Sequence, residues 1–366
     1  MLSRRIRPAL TIITAAVLAT VALTGCGSRG EARTDANGVT LLSYMGWADQ
    51  VTPPELAENL GFFEGKVKLD WIGNTNSGPQ DIQTAATGQV DFGGAFAGAV
   101  AKLAAAGAPI TAVLNYYGSD EKSFGGYYVT DDSPIRSVTD LVGKKIGVNT
   151  LGGQNEADVY EALKRAGLNS QQIDSVQLIA LPTPNIEDSL RKGQIDVAGL
   201  TGQFQQRALA NGGVRPVFTE IDEFGGPING GPYVFRNDYI AKNPDVVRTF
   251  TTGVAKALEW ERTTPRDQVI AKFTQIINDR HRAGESTKSL KYWLSVGVPS
   301  RYGELSDGDF MRWERWLRDT DAIDGDLEPR KFYTNEFNAM LRPEANDTTA
   351  RGEAHRKGSG TADTGN

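Results

Sequence analysis

Gly88-Gln89-Val90-Asp91-Phe92-Gly93-Gly94 and Gly193-Gln194-Ile195-Asp196-Val197-Ala198-Gly199 are one seven-residue pattern written twice, 105 positions apart. Gly125-Gly126-Tyr127-Tyr128-Val129 and Gly230-Gly231-Pro232-Tyr233-Val234 match at the same offset. A shared offset points to a duplicated supersecondary unit rather than to two chance matches. Upstream of each copy, residues 67–71 (VKLDW) and 176–180 (VQLIA) read as strands that precede a helix. Further upstream, residues 40–44 and 145–148 read as strands, each followed by a glycine-bearing loop and a helix. Those helices end near Asn59-Leu60-Gly61 and Arg165-Ala166-Gly167, where glycine suits a C-cap. Each half is therefore strand–helix–strand–helix–strand. The expected fold is α/β, two lobes with mainly parallel sheets flanked by helices.

After Tyr233 the pattern turns helical. Asn243-Pro244 sets a cap and a first-turn proline before an amphipathic run to Glu261, and Pro265 opens another through Ile277. Residues 306–309 form a capping signature ahead of Phe310-Met311-Arg312-Trp313-Glu314-Arg315-Trp316-Leu317. Trp313 and Trp316 are three apart, and the stripe they make is expected to pack this helix on the first lobe rather than to stack a ligand.

The chain has 366 residues, with 39 Lys+Arg against 45 Asp+Glu, a net charge of −6, two His and one Cys. A negative chain without a basic patch is a poor match to a phosphate backbone, so nucleic acid is not an expected partner. One Cys excludes an internal disulfide and any multi-cysteine metal site. That Cys26 closes an export-like segment: Arg4, Arg5 and Arg7 form a basic start, and residues 9–23 carry no charge and are short for a membrane span. Leu23-Thr24-Gly25-Cys26 resembles a bacterial lipobox, which implies cleavage before Cys26 and acylation of it. The signal peptide is thus placed at 1–25 and the lipid anchor at Cys26. Cleavage would leave 341 residues and, with three arginines lost, a net charge of −9. Residues 26–37 read as a flexible tether and 343–366 as a disordered tail.

Residues 133–148 (SPIRSVTDLVGKKIGV) resemble the second-lobe entry of ABC-transporter substrate-binding proteins of the nitrate/sulfonate/taurine type, which share a fold with thiamin-pyrimidine proteins. Leu60-Gly61-Phe62-Phe63, residues 88–93, residues 104–110 and residues 162–168 fit the same family in the same order, over about residues 38–340. The resemblance implies a type II periplasmic-binding-protein fold, two lobes joined by two crossing strands. Lobe 1 is then 38–127 with 233–342 and lobe 2 is 128–232. The repeated glycine pairs at 125 and 230 fall at the crossings, where they are expected to absorb hinge rotation.

In open α/β sheets, ligands lie beyond the carboxyl ends of strands. The loops there nominate Gly46, Trp47, Ser77, Gly78, Ala95, Phe96, Asn115 and Tyr116 in the first lobe. In the second they nominate Leu151, Gly152, Gly153, Gln154, Thr201 and Gln203. The starts at residues 76–79 and 151–154 present free backbone N–H groups, which suit an anion without a basic side chain. None of these loops contains Lys, Arg or His, so carboxylate capture by a bidentate Arg is not expected. Trp47, Phe96, Tyr116 and Tyr117 instead offer aromatic walls and hydroxyl tips. Asp49 reads as a helix-start carboxylate. Catalysis has no constellation: His281 and His355 lie in polar stretches, Cys26 is the anchor, and Gly93–Gly98 lacks both the Rossmann spacing and a Walker lysine. Neither a cofactor nor a metal is expected. The family reading is a monomeric, lipid-anchored solute receptor on the extracytoplasmic face of the cell membrane, serving an ABC permease and its ATPase. Its expected ligand is a small sulfonate-, nitrate- or taurine-like oxyanion, with a pyrimidine-like heterocycle, or a sensor role, as the alternative.

Overall fold

The computed structural model describes residues 30–342. The expected signal peptide 1–25, the anchor Cys26 and the tail 343–366 lie outside the described residues. The first lobe runs β1 (Arg33–Thr34), β2 (Thr40–Gly46), α1 (Pro53–Asn59), β3 (Val67–Asn74), α2 (Gly78–Thr87), β4 (Phe92–Gly94), α3 (Ala97–Ala105) and β5 (Ile110–Ser119). The second lobe runs β6 (Gly126–Thr130), β7 (Lys145–Val148), α4 (Gln154–Arg165), α5 (Ser170–Asp174), β8 (Gln177–Ala180), α6 (Ile186–Arg191), β9 (Val197–Leu200), α7 (Gly202–Asn211) and β10 (Val214–Thr219). The short α8 (Glu220–Phe224) leads back to β11 (Ile228–Arg236) in the first lobe. There follow α9 (Asn237–Lys242), α10 (Pro244–Thr263), α11 (Arg266–Asp279), α12 (Asp307–Met311) and α13 (Glu314–Asp319). No helix among the described residues is long and apolar enough to cross a membrane.

The second-lobe sheet has the order β10-β6-β9-β7-β8; the first lobe holds β1-β2-β3 and β4-β11-β5. Asp91 N–H joins the latter two by donating to the Ser43 carbonyl at 3.0 Å. The duplication read from the sequence therefore exists in space, with β11 between β4 and β5 as β6 lies between β9 and β10. Among the named strands, parallel pairing is confined to β2–β3, β7–β8 and β7–β9, whereas β6 and β11 run against both neighbours. A sheet parallel within its strand–helix–strand units thus becomes antiparallel around the returning strand. Each crossing delivers the chain to the end where the parallel strands finish, so the strand that follows it, β6 or β11, must run the other way. The crossings are Asp120–Gly125 and α8 with its following turn, a few residues upstream of the expected 127/128 and 232/233 boundaries.

Both faces of each lobe are packed. In the first lobe one core gathers Leu56, Phe63, Phe92, Phe250, Val254 and Leu258, and the other gathers Ile82, Phe96, Val100, Phe310, Trp313 and Trp316. The tryptophan stripe is core: Trp313 and Trp316 set their rings 5.4 and 5.5 Å from that of Phe96. The Ser306/Asp309 capping box forms as read, but the helical run breaks at Arg312–Trp313 into α12 and α13.

Three expectations change. Residues 30–37 are folded rather than a free tether, since Arg33 and Thr34 pair with Leu41 and Thr40. Asn243 contributes to this. It makes no side-chain cap; its amide donates to the Gly30 carbonyl at 2.7 Å and accepts the Ala32 N–H at 3.3 Å. The crossing glycines, expected as hinge points, are points of close approach. A Cβ at Gly125 would overlap the Glu220 carboxylate, and one at Gly231 the Ala95 carbonyl.

Candidate functional site

The loops that follow β2, β3, β4, β5, β7, β8 and β9 meet at the seam between the lobes and enclose a cavity of about 310 Å³. Local sequence explains the narrow fit. Ser77 caps α2 by accepting the Gln80 N–H at 3.3 Å, and Gly78 leaves only 3.0 Å between a would-be Cβ and the Ala95 Cα. At the start of α4, Gly152 holds φ +70° and gives its N–H to Glu156 at 2.8 Å, with Gly153 as the extended N-cap. Three helix starts, those of α2, α4 and α7, so face the cavity through Gly78, Gly153 and Gly202.

Of the nominated residues, Trp47, Gly78, Ala95, Phe96 and Tyr116 line the cavity from the first lobe. Gly153, Gln154, Thr201 and Gln203 line it from the second. Gly46, Ser77, Asn115, Leu151 and Gly152 do not. Gly46 packs under Arg282, Asn74 and Trp71. Asn115 is fully buried and spends its amide on Glu304 O and Asp309, both at 2.9 Å. Leu151 is 53% exposed and faces a separate groove with Trp316.

Ser77 does something else: its Oγ accepts the Thr150 hydroxyl at 2.9 Å, across the lobes. Asn149 donates to the Asn76 carbonyl at 3.4 Å beside it. Gln203 makes a second latch, giving its amide to Asp49 O and to Ser289 Oγ, both at 3.0 Å. Asp49 starts no helix; its carboxylate accepts the Ser286 N–H at 2.6 Å while its backbone sits at φ +62°. The lobes thus meet in a closed arrangement, hydrogen-bonded on two sides of the cavity.

Aromatic groups supply much of the wall. Tyr116 stacks on Tyr233 with centroids 3.9 Å apart and meets Tyr117 edge-on at 4.9 Å. Burial raises the hydroxyls of Tyr116 and Tyr117 above the usual tyrosine range, so both remain protonated donors. Phe96 is 2% exposed and belongs to the core as much as to the wall. Phe273 and Trp293, from the helical part, complete the lining.

The Asp, Glu, Lys, Arg and His positions on the cavity wall are two, and both are acids, Glu220 and Glu261. Glu220 accepts the Gly125 N–H at 2.9 Å, the Ser119 hydroxyl, and the Gln154 amide at 3.0 Å. One carboxylate therefore ties both crossings to the start of α4. Behind it, burial and then the neighbouring Glu220 hold Asp158 well above the ordinary carboxyl range, which favours its protonated form. Glu261 lines the cavity from α10, and burial alone pushes it up to about 8. Lys, Arg and His are absent from the lining, and the described residues contain no cluster of metal-ligating groups. The absence of basic groups that the loops suggest thus extends to the whole wall. Loop reading missed Glu220 and Glu261 because neither lies after a parallel strand. Glu261 did leave a signal, a carboxylate on the apolar stripe of a helix.

A family model described as "NMT1/THI5 like" matches residues 49–268. A protein of Brucella abortus (strain 2308) named as a binding protein is 27% identical over 271 residues, 71% of this chain and 79% of that one. The riboflavin-binding protein RibY of Chloroflexus aurantiacus is 23% identical over 245 residues, 63% of this chain and 65% of its own length. Among solved structures, the periplasmic aliphatic sulphonate binding protein SsuA from Escherichia coli superposes with a TM-score of 0.61 at 19% identity, covering 80% of this chain and 91% of SsuA. The desulfurization enzyme DszB shares the fold at a TM-score of 0.53 and 17% identity, covering 81% of this chain and 97% of its own, so the fold alone does not separate binding from catalysis. With the family model spanning more than half of its length, this chain belongs to the NMT1/THI5-like family.

Proposed function

We propose that this protein is the extracytoplasmic solute-binding component of an ABC importer. It captures a small nitrogen heterocycle between its lobes and offers the closed form to the permease. The observation that carries this reading is the cavity itself: an interlobe space walled by Trp47, Tyr116, Phe273 and Trp293 that holds Glu220 and Glu261 and no basic side chain. Aromatic faces suit a planar body, while carboxyl groups suit ring or exocyclic N–H donors. The helix starts at Gly78 and Gly153 can donate to acceptor atoms on the opposite edge of such a ligand.

The small oxyanion expected from the family resemblance finds those same N–H groups. It would, however, be buried beside two carboxyl groups with no countercharge, at a cost the helix starts offset only in part. The wall offers hydroxyl and carboxyl groups but neither His nor Cys, so it lacks an imidazole to activate a hydroxyl and a thiol to serve as nucleophile. Cys26 is proposed to be the acylated anchor that holds the receptor at the outer face of the cell membrane, after removal of residues 1–25.

Native mass spectrometry of freshly purified protein, followed by thermal-shift panels of N-heterocycles and of sulfonates, tests the ligand reading. Shifts with heterocycles alone are expected, and shifts with sulfonates alone would restore the oxyanion. Loss of solute uptake on gene deletion supports an importer; retained uptake with a lost transcriptional response would make the protein a sensor. Loss of palmitate labelling in Cys26→Ser tests the anchor.

A further inference from the structure

Glu261 breaks the rule of its own helix. The buried face of α10 runs Val247, Phe250, Val254 and Leu258 at helical spacing, and the next position on that stripe is Glu261. Glu261 is only 7% exposed as a residue and makes no hydrogen bond or ion pair among the described residues, an arrangement that is costly for a fold to keep. Its neighbours in the chain do not compensate. Arg262 turns away to the carbonyls of Val298 and Ser300 and to Glu259. Violations of local patterning of this kind concentrate at functional sites. Glu261 also lines the cavity, as do Phe273 and Trp293, whose rings meet edge-to-face at 5.8 Å.

We propose that Glu261, with Phe273 and Trp293, is a subsite for a positively charged organic group, so that the transported solute carries an ammonium or ring cation on its planar body. The inference deepens the solute-binding reading and rests on it. An aromatic face attracts a cation through its quadrupole, and a desolvated carboxylate adds a full countercharge where water is excluded. The ligand would then supply the partner that Glu261 lacks. Burial alone holds the Glu261 proton to about pH 8 in the free protein, so a cation entering at neutral pH displaces that proton. Other titratable groups on the wall are Glu220, already bonded by three donors, and Tyr116 and Tyr117, which keep their protons.

The test is calorimetric titration of the mature protein with benzyltrimethylammonium, whose charge does not titrate, against benzenesulfonate and cytosine. The cation is expected to bind with release of close to one proton. Its affinity should rise about tenfold per pH unit below pH 8 and level off above it. Glu261→Gln should weaken the cation at least tenfold at pH 8.5 and flatten the pH profile. Because Gln removes an uncompensated acid, the variant should melt no lower than the parent, so loss of binding is not loss of fold. Cation binding that ignores both pH and Glu261→Gln overturns the subsite, as does preference for benzenesulfonate. Cytosine binding without cation binding also overturns it while leaving the heterocycle receptor intact; failure of both cytosine and the cation overturns the two readings together.

Discussion

Asp91 and Asp196 occupy equivalent places in the two lobes and clamp a neighbouring strand in the same way. The Asp91 carboxylate accepts the Ser43 N–H at 2.7 Å while its own N–H donates to Ser43 O at 3.0 Å. The Asp196 carboxylate accepts the Lys145 N–H at 2.8 Å while its N–H donates to Lys145 O at 2.8 Å. In both copies the glycine three residues earlier ends a helix in left-handed backbone, with φ +79° at Gly88 and +67° at Gly193. The repeated sequence therefore encodes one device: a helix stop, a buried Val or Ile, and an acid that sets strand against strand.

Replacing either acid with Ala should remove a charge-assisted bond and leave a strand N–H unpaired, costing about 1–3 kcal/mol. Urea unfolding of Asp91→Ala and Asp196→Ala measures this. The Asp91 variant should be the more damaged, because Ser43 also gives its hydroxyl to that carboxylate at 2.7 Å.

The Thr150–Ser77 latch exists only when the lobes are together. Thr150→Ala should leave ligand-free stability nearly unchanged and weaken ligand binding roughly two- to tenfold, the worth of about 0.5–1.5 kcal/mol for one hydrogen bond. Ser77→Ala should weaken binding similarly and also lower the melting temperature, because it removes the α2 cap as well. Calorimetry paired with thermal unfolding separates the two effects.

Trp47 is half-buried on the cavity wall and contributes to none of the core clusters. Trp47→Ala should therefore weaken ligand binding by tenfold or more while shifting ligand-free melting by only a degree or two. A large loss of ligand-free stability would reassign it to the core.

Glu261 gives stability a pH slope of known sign. Its pKa is raised on folding to about 8, so the native state holds a proton that the unfolded chain releases above its ordinary carboxyl pKa. The contribution is fully present below that ordinary value and is lost as pH rises through about 8, by up to about 1.4 kcal/mol per pH unit. Asp81, raised to about 7 by burial, tilts the curve the same way. The difference between wild type and Glu261→Gln in urea titrations from pH 5 to 9 isolates the Glu261 part. It should grow with pH and level off above 8.

Much of the fold was legible because it is written in local signals. Gly61 and Gly167 end α1 and α4 at φ +75° and +80°, and only a residue without a Cβ reaches that backbone cheaply. Pro244 opens α10 and the Ser306 box opens α12, since a cap is a bond between residues three apart. The candidate site was half legible. Loops after parallel strands brought Trp47, Gly78, Gly153 and Thr201 to the cavity, as the geometry of open sheets requires, whereas Tyr116, read as a loop residue, reaches it from within the antiparallel β5. Asn115 reads equally well as a loop polar group, yet the fold buries it against Asp309, 194 positions away.

The sequence by itself determined the duplication, the α/β alternation, the helical third part and the lack of basic residues in the ligand-side loops, for these are periodicities and compositions within short windows. Only the tertiary structure decided that two acids face the cavity. Glu220 reaches it by bonding Ser119 and Gly125, and Glu261 by lying on the inner stripe of α10. Such placements join segments 95 to 101 residues apart, or a helix to a lobe it follows by more than a hundred. Partners at that separation leave no period in the chain; they are chosen by packing, and with them the charge of the cavity.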